Sequence, residues 1–242
     1  MKKLATYKFT SILLLLSVLM LSLVASSCNS QTGNVIVNID WVDFLKFNDI
    51  TYLREIQNNP VNQDNLTFYT EVKFKIADNV NNPNYSSKNG DAAFLEAGTK
   101  IYTLAGYSPN FRLVAIKDQE LLIYEADTNP NAKKGSDLLD IGDKVDCIDI
   151  NSSIDGKTEL ASVKDKMQVD QLVQMVLDAP VDQTLHKTGT EQYFLEFHLI
   201  DGTVTKRSYW LDSGILSRGI QLPKEFKDII RITLVPLGSG VR

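Results

Sequence analysis

Two cysteines, two histidines and a few carboxylate clusters are the residues of this 242-residue chain with the means to do chemistry. Cys28 follows the small residues Ala25-Ser26-Ser27, a setting in which a thiol accepts a lipid. Cys147 lies in Lys144-Val145-Asp146-Cys147-Ile148-Asp149-Ile150. Strand alternation there groups Val145, Cys147 and Asp149 on one face and Asp146, Ile148 and Ile150 on the other. It reads as a buried, inert structural thiol. His198 shares a strand face with Phe194 and Glu196, but the Glu-x-His pair lacks a third ligand at recognisable spacing. His186, in Leu185-His186-Lys187, has no sequence partner.

Three oxygen-rich stretches imitate calcium loops. Asp127-Thr128-Asn129-Pro130-Asn131 carries Ala132 where such a loop needs glycine and Leu138 where it needs a bidentate glutamate. Asn151 to Gly156 places the glycine but ends its twelve positions on Ser162. Asp78 to Asp91 has more oxygens and no fixed spacing, and reads as a solvated loop. Asp137 and Asp140, at helical spacing, are explained by capping or solvation. No Gly-x-Ser-x-Gly elbow and no glycine-rich phosphate loop occurs. The expectation is therefore no catalytic set, no metal site and no cofactor. Six tyrosines in the first half (Tyr52, Tyr69, Tyr85, Tyr102, Tyr107 and Tyr124) offer a binding surface if one sheet face gathers them, although β propensity accounts for them equally.

The strongest signal is an address. Lys2, Lys3 and Lys8 precede the apolar run Ser11 to Val24, which is too short for the roughly 20 residues that span a bilayer. Small residues and Cys28 follow. The segment resembles bacterial lipoprotein signals, with Ala25 where leucine is commoner. The resemblance implies cleavage after residue 27, a thioether from Cys28 to diacylglycerol, and an extracytoplasmic protein held on the cell membrane. Each buried methylene contributes about 0.8 kcal/mol, so two or three acyl chains anchor firmly. Loss of 27 residues leaves 215, and loss of three lysines leaves 22 basic against 30 acidic residues, a net charge of −8. Such acidity argues against nucleic acid as a partner. With Cys28 acylated, Cys147 has no internal disulfide partner.

The positioning elements divide the chain into a signal (1–27), a tether (28–33), a β-rich domain (34–135) and an α+β domain (136–242). Strands are expected at Val35 to Ile39, Ile50 to Arg54, Glu71 to Ile76 (with Val72, Phe74 and Ile76 inward), Lys100 to Leu104, Phe111 to Ile116 and Leu121 to Glu125. Close spacing and turn residues between them suggest a small curled sheet or barrel. In the second half, Asp143 to Asn151 and Thr158 to Val163 flank the hairpin signal Asp155-Gly156. A helix follows, capped by Asp165, striped by Val169, Leu172, Val173, Val176 and Leu177, and stopped by Pro180. Tyr193 to Ile200 and Thr203 to Leu211 form a hairpin about Asp201-Gly202, and Ile215 to Leu222 is a further strand. Pro223 opens a short helix with Phe226, Ile229 and Ile230, and Ile232 to Val235 ends the fold as a strand. The fold class is α+β: a curled β-rich half, then an antiparallel sheet with one longer and one short helix.

Over roughly the last 100 residues, the run Glu159-Leu160-Ala161-Ser162-Val163 to Met175-Val176-Leu177-Asp178-Ala179-Pro180, the hairpin Phe194 to Tyr209, and Leu222-Pro223-Lys224-Glu225-Phe226 carry a resemblance. They look like the YhfM-like domain of lipoproteins from spore-forming Gram-positive bacteria. The resemblance implies an envelope lipoprotein and carries over no functional residue. Two functions are open on the sequence: a non-enzymatic module binding an envelope protein, peptide or glycan, and an envelope hydrolase with a site assembled from distant residues. A deep pocket with paired carboxylates or a histidine–carboxylate contact favours the hydrolase, and a shallow aromatic face favours the binder.

Overall fold

Fourteen strands and two α-helices make up a computed structural model that describes residues 39–55, 62–185 and 189–235. The signal, Cys28, the tether, residues 35–38 of the expected first strand and His186 lie outside the described residues. The chain is α+β, as its patterning predicts: an eight-stranded curled sheet, a six-stranded antiparallel sheet, and helices confined to the second half.

The first sheet contains β1 (Phe44–Phe47), β2 (Ile50–Glu55), β3 (Leu66–Glu71), β4 (Phe74–Lys75), β5 (Asp91–Ala92), β6 (Lys100–Leu104), β7 (Arg112–Lys117) and β8 (Glu120–Thr128). Their spatial order is β3-β6-β7-β8-β2-β1-β5-β4, antiparallel except for β4 on β5. The two edge strands, β3 and β4, are separated only by Val72 and Lys73. Val72 N–H donates to the Thr99 carbonyl at 2.9 Å on the β6 side, and Lys73 N–H donates to the Gly90 carbonyl at 2.8 Å on the β5 side. One segment therefore links the two ends of the sheet and curls it upon itself, with β3 paired only to β6 and β4 only to β5.

That closure corrects the expected strand at Glu71 to Ile76. The chain leaves one partner and joins another at Val72–Lys73, so Val72 packs in the main core while Phe74 and Ile76 belong to a separate cluster with Phe44, Val80 and Ala93. The β1–β2 and β7–β8 hairpins turn on pairs with positive φ, Asn48-Asp49 and Asp118-Gln119, the conformation that matches strand twist.

The second sheet contains β9 (Val145–Ser152), β10 (Glu159–Val163), β11 (Gln192–Leu199), β12 (Val204–Trp210), β13 (Ile215–Leu216) and β14 (Ile220–Gln221), in the order β10-β9-β11-β12-β13-β14. The strand expected at Ile215 to Leu222 is two short strands folded about Arg218 and Gly219, both with positive φ. Helix α1 (Lys166–Asp178) starts at Asp165, whose carboxylate accepts from Gln168 N–H at 3.0 Å, and its buried Val169, Leu172, Val173 and Val176 pack toward β9. Helix α2 (Lys224–Leu234) replaces the strand expected at Ile232 to Val235. Phe226 and Ile230, at i and i+4, are fully buried, and Thr233 turns its hydroxyl back to the Ile229 carbonyl at 2.9 Å. Helical packing of this stripe overrides the β propensity of its branched residues. Phe226 meets Tyr209 of β12 edge-on, with ring centres 5.4 Å apart.

A single core cluster draws on both sheets and the helices, from Leu45 and Tyr124 to Phe197, Leu172 and Phe226.

Candidate functional site

Alternation on β11 buries Leu195, Phe197 and Leu199 and leaves Phe194, Glu196 and His198 half-exposed on the opposite face. Antiparallel pairing then fixes their neighbours: Cys147 stands opposite His198, Asp149 opposite Glu196 and Asn151 opposite Phe194. A bulge between His198 and Leu199 shifts the register so that Val145 pairs with Leu199 and points inward. This corrects the expected grouping of Val145 with Cys147. Cys147 is half-buried on the outer face, not a core thiol.

The sheet thus brings together residues that are 49 positions apart. His198 Nε2 lies 2.7 Å from Asp149 Oδ2, and Glu196 Oε2 is 3.9 Å from the same nitrogen. Ser162 of β10 donates its hydroxyl to the other Asp149 oxygen at 2.6 Å. Lys206 of β12 pairs with Glu196 and donates to the Gly156 carbonyl at 2.8 Å. Burial, and then Asp149 and Asp146, push the Cys147 thiol up, the opposite of what a nucleophilic cysteine needs.

A second constellation is buried. Arg112 (β7) and Glu125 (β8) are cross-strand partners, with Arg112 Nη2 2.6 Å from Glu125 Oε1. From β12, Arg207 Nη2 reaches Glu125 Oε2 at 2.8 Å, and the Thr205 hydroxyl bonds the same oxygen. Arg112 also donates to Thr203 at 2.9 Å and lies over the Tyr107 ring, 4.5 Å from its centre. Arg112, Glu125 and Arg207 have no exposed side-chain surface. Burial opposes ionisation of Glu125, yet Arg207 and Arg112 override it and hold its pKa below the usual range. Glu55, 3.7 Å from Arg207, is pushed up by burial and by Glu125. Sequence reasoning missed this network, which joins one sheet to the other.

Arg218 stands beside it. Its φ of +73° is one that residues other than glycine rarely adopt. Its side chain is 8% exposed, and Asp127 Oδ1 lies 3.2 Å from Nε. That distance makes an ion pair but the alignment makes no hydrogen bond, so Nε is buried without an acceptor. Burial, and then Arg207, lower its pKa to about 10. The residue lines a cleft of about 310 Å³ with Asp127, Thr128, Gln183, Ile215 and Ser217. Gly219 permits the close approach of this hairpin, since a Cβ there would lie 2.2 Å from the Asp182 carbonyl oxygen.

No family model, curated protein or solved structure matches this chain.

The remaining sequence candidates disperse. Tyr52 and Tyr124 are buried, donating to the Pro109 carbonyl and to Asp43 at 3.0 Å each. Tyr85 and Tyr107 are bonded to Asp91 and Asp201, and Tyr69 accepts from Asn48. Tyr102 packs edge-on against the exposed Phe68, ring centres 6.2 Å apart, so the six tyrosines divide between the interior of the curled sheet and its outside. In the Asp78 to Asp91 loop, Asp91 accepts from Tyr85 and Lys88, and Asp78 pairs with Lys75. Asp137 accepts from Lys133 and Lys134 N–H groups, and Asp140 from Ser108 N–H and Lys144. These carboxylates serve turns and caps. Asp155 does the same for the β9–β10 hairpin, accepting from Lys157 and Thr158. Among the described residues no helix is long and apolar enough to cross a membrane.

Proposed function

We propose that this chain is an extracytoplasmic lipoprotein, anchored to the cell membrane through Cys28, and a non-enzymatic module that binds an envelope ligand at the Arg218 cleft. The lipobox-like segment supports the address, and the resemblance of the last 100 residues to YhfM-like domains agrees with it. Binding is carried by one observation: a nearly buried guanidinium whose Nε has no hydrogen-bond acceptor lines an open cleft. A carboxylate or another oxygen acceptor on a protein, peptide or glycan would satisfy the Arg218 fork. The hydrolase reading has less support. The His198–Asp149 contact sits on an open sheet face, away from the residues that line the Arg218 cleft.

Two measurements test the proposal. Cys28→Ala should take up no fatty-acid analogue, and equal labelling of wild type and variant would sink the anchor. A photoreactive residue at Ser217 should cross-link an envelope component in membranes, while one at Ile154, on a distant exposed hairpin, should not. Arg218→Met should abolish that adduct while circular dichroism shows the variant still folded. Persistence of the adduct in Arg218→Met would refute binding at this cleft.

A further inference from the structure

Outside the cleft, the outer face of the six-stranded sheet carries an arrangement that the binding reading does not use. The Cys147 sulfur, an Asp149 oxygen and a His198 nitrogen all lie within 4.8 Å of one another. Among the described residues this is the only group of three or more such side chains so placed. We propose that Cys147, Asp149 and His198 form a binding site for Zn²⁺ or a similar borderline divalent transition metal.

The donor set selects the metal. A thiolate and an imidazole favour zinc, cobalt or copper over calcium and magnesium, which take hard oxygen ligands. Zinc bonds sulfur at about 2.3 Å and nitrogen or oxygen at about 2.0–2.2 Å, so tetrahedral ligands stand roughly 3.3–3.6 Å apart. The present spread, 2.7 Å between His198 and Asp149 and up to 4.8 Å across the group, needs side-chain adjustments of about 1 Å to reach it.

The backbone is already set for this. Cys147 and Asp149 are two apart on β9 and so share a face, and His198 is the cross-strand partner of Cys147 on the central strand β11. Both strands are paired on each side, which fixes the three Cα positions. An outer support is also present: the Ser162 hydroxyl holds Asp149 Oδ1 at 2.6 Å, while Oδ2 faces His198 Nε2 at 2.7 Å, a contact that the metal would replace. Glu196 Oε2 lies 3.9 Å from the histidine nitrogen, its charge offset by the pair with Lys206. The side chains are partly exposed, 34% for His198 and 16% for Asp149, so the ion can enter and a fourth position stays open to water or to a donor from a partner. Binding replaces the thiol proton and the proton held between His198 Nε2 and Asp149 Oδ2; both pass to solvent, and a neutral imidazole regains one at Nδ1.

Cobalt tests the assignment directly, because it fills zinc sites and reports its ligands in absorption. The purified full chain in detergent, titrated with Co²⁺ under reducing conditions, should develop a thiolate-to-cobalt charge-transfer band that saturates at one equivalent. Zn²⁺ should bleach it, and excess Ca²⁺ or Mg²⁺ should not. Cys147→Ser should lose the band, and His198→Gln should bind at least about tenfold more weakly. Thr158→Val, in the neighbouring hairpin, should bind like wild type. These substitutions lie on a partly exposed face, and circular dichroism would establish that the variants remain folded. Absence of the charge-transfer band in wild type, or its survival in Cys147→Ser, would overturn the site whatever the variants do to stability.

Discussion

Glu125 is the position where one substitution should cost most. Its carboxylate has no exposed surface, and its oxygens lie 2.6 Å from Arg112 and 2.8 Å from Arg207. The hydroxyl of Thr205 completes the set. Glu125→Gln removes the charge and leaves two guanidinium groups buried, each with an Nε that already lacks a partner. Breaking a buried pair from one side costs about 3–5 kcal/mol. At roughly 3 °C per kcal/mol for a chain of this size, a loss of about 4 kcal/mol lowers Tm by about 12 °C. Asp201 at 3.9 Å from Arg112 and Glu55 at 3.7 Å from Arg207 recover part of this, which favours the lower end of the range. The control is complete removal. Arg112→Met, Glu125→Leu and Arg207→Met together should melt far closer to wild type than Glu125→Gln does, since desolvation of the ions is relieved along with their attraction. Differential scanning calorimetry of the three proteins decides the matter. A Glu125→Gln midpoint within about 3 °C of wild type would refute the view that this carboxylate holds the two sheets' charges together.

Other outcomes follow from particular contacts. Val173→Asp should destabilise by several kcal/mol, because a carboxylate would enter a site 4% exposed, whereas Gln174→Asp on the open side should lose only a few tenths from its bond to Asp178; similar chemical-denaturation midpoints would contradict the helix register. Gly135→Ala should lower Tm strongly, since a Cβ there would lie 1.9 Å from the Val176 carbonyl oxygen and the backbone must move. Asp155 should titrate at about 2, held down first by the Thr158 hydroxyl and then by the N–H groups of Thr158 and Lys157. A depressed folded pKa contributes stability above the unfolded value of about 3.9 and loses it as pH falls through 2. Carbon-13 detected titration should give the low midpoint in wild type and an upward move in Thr158→Val.

Local elements were legible because their causes are local. The cap at Asp165, the stripe from Val169 to Val176 and the stop at Pro180 lie within a few turns of one another, so spacing alone describes α1. The hairpins at Asp155-Gly156 and Asp201-Gly202 were legible for the same reason. Alternation placed Glu196 and His198 together. Legibility failed where pairing partners change. Nothing between Glu71 and Ile76 tells that one half of the segment joins β6 and the other β5, and a bulge beside His198 reversed the expected facing of Val145 against Cys147. The helical end of the chain was misread because burial of Phe226 and Ile230 outweighs the β propensity of Ile232 and Thr233.

The sites lie on the far side of the same boundary. Sequence offered a Glu-x-His pair without a third ligand; Cys147 and Asp149, which gather around His198, come from β9, 51 and 49 positions earlier, which antiparallel register sets opposite. Arg112, Glu125 and Arg207 span 95 positions and carried no motif, since any exposed strand supplies such residues. Arg218 became notable only once a tight hairpin buried it against Asp127. Periodicity reports which way a side chain points along its own strand. Which charge, thiol or imidazole waits at the other end depends on strand order and on the docking of two sheets, and those are settled by the burial of the whole core at once.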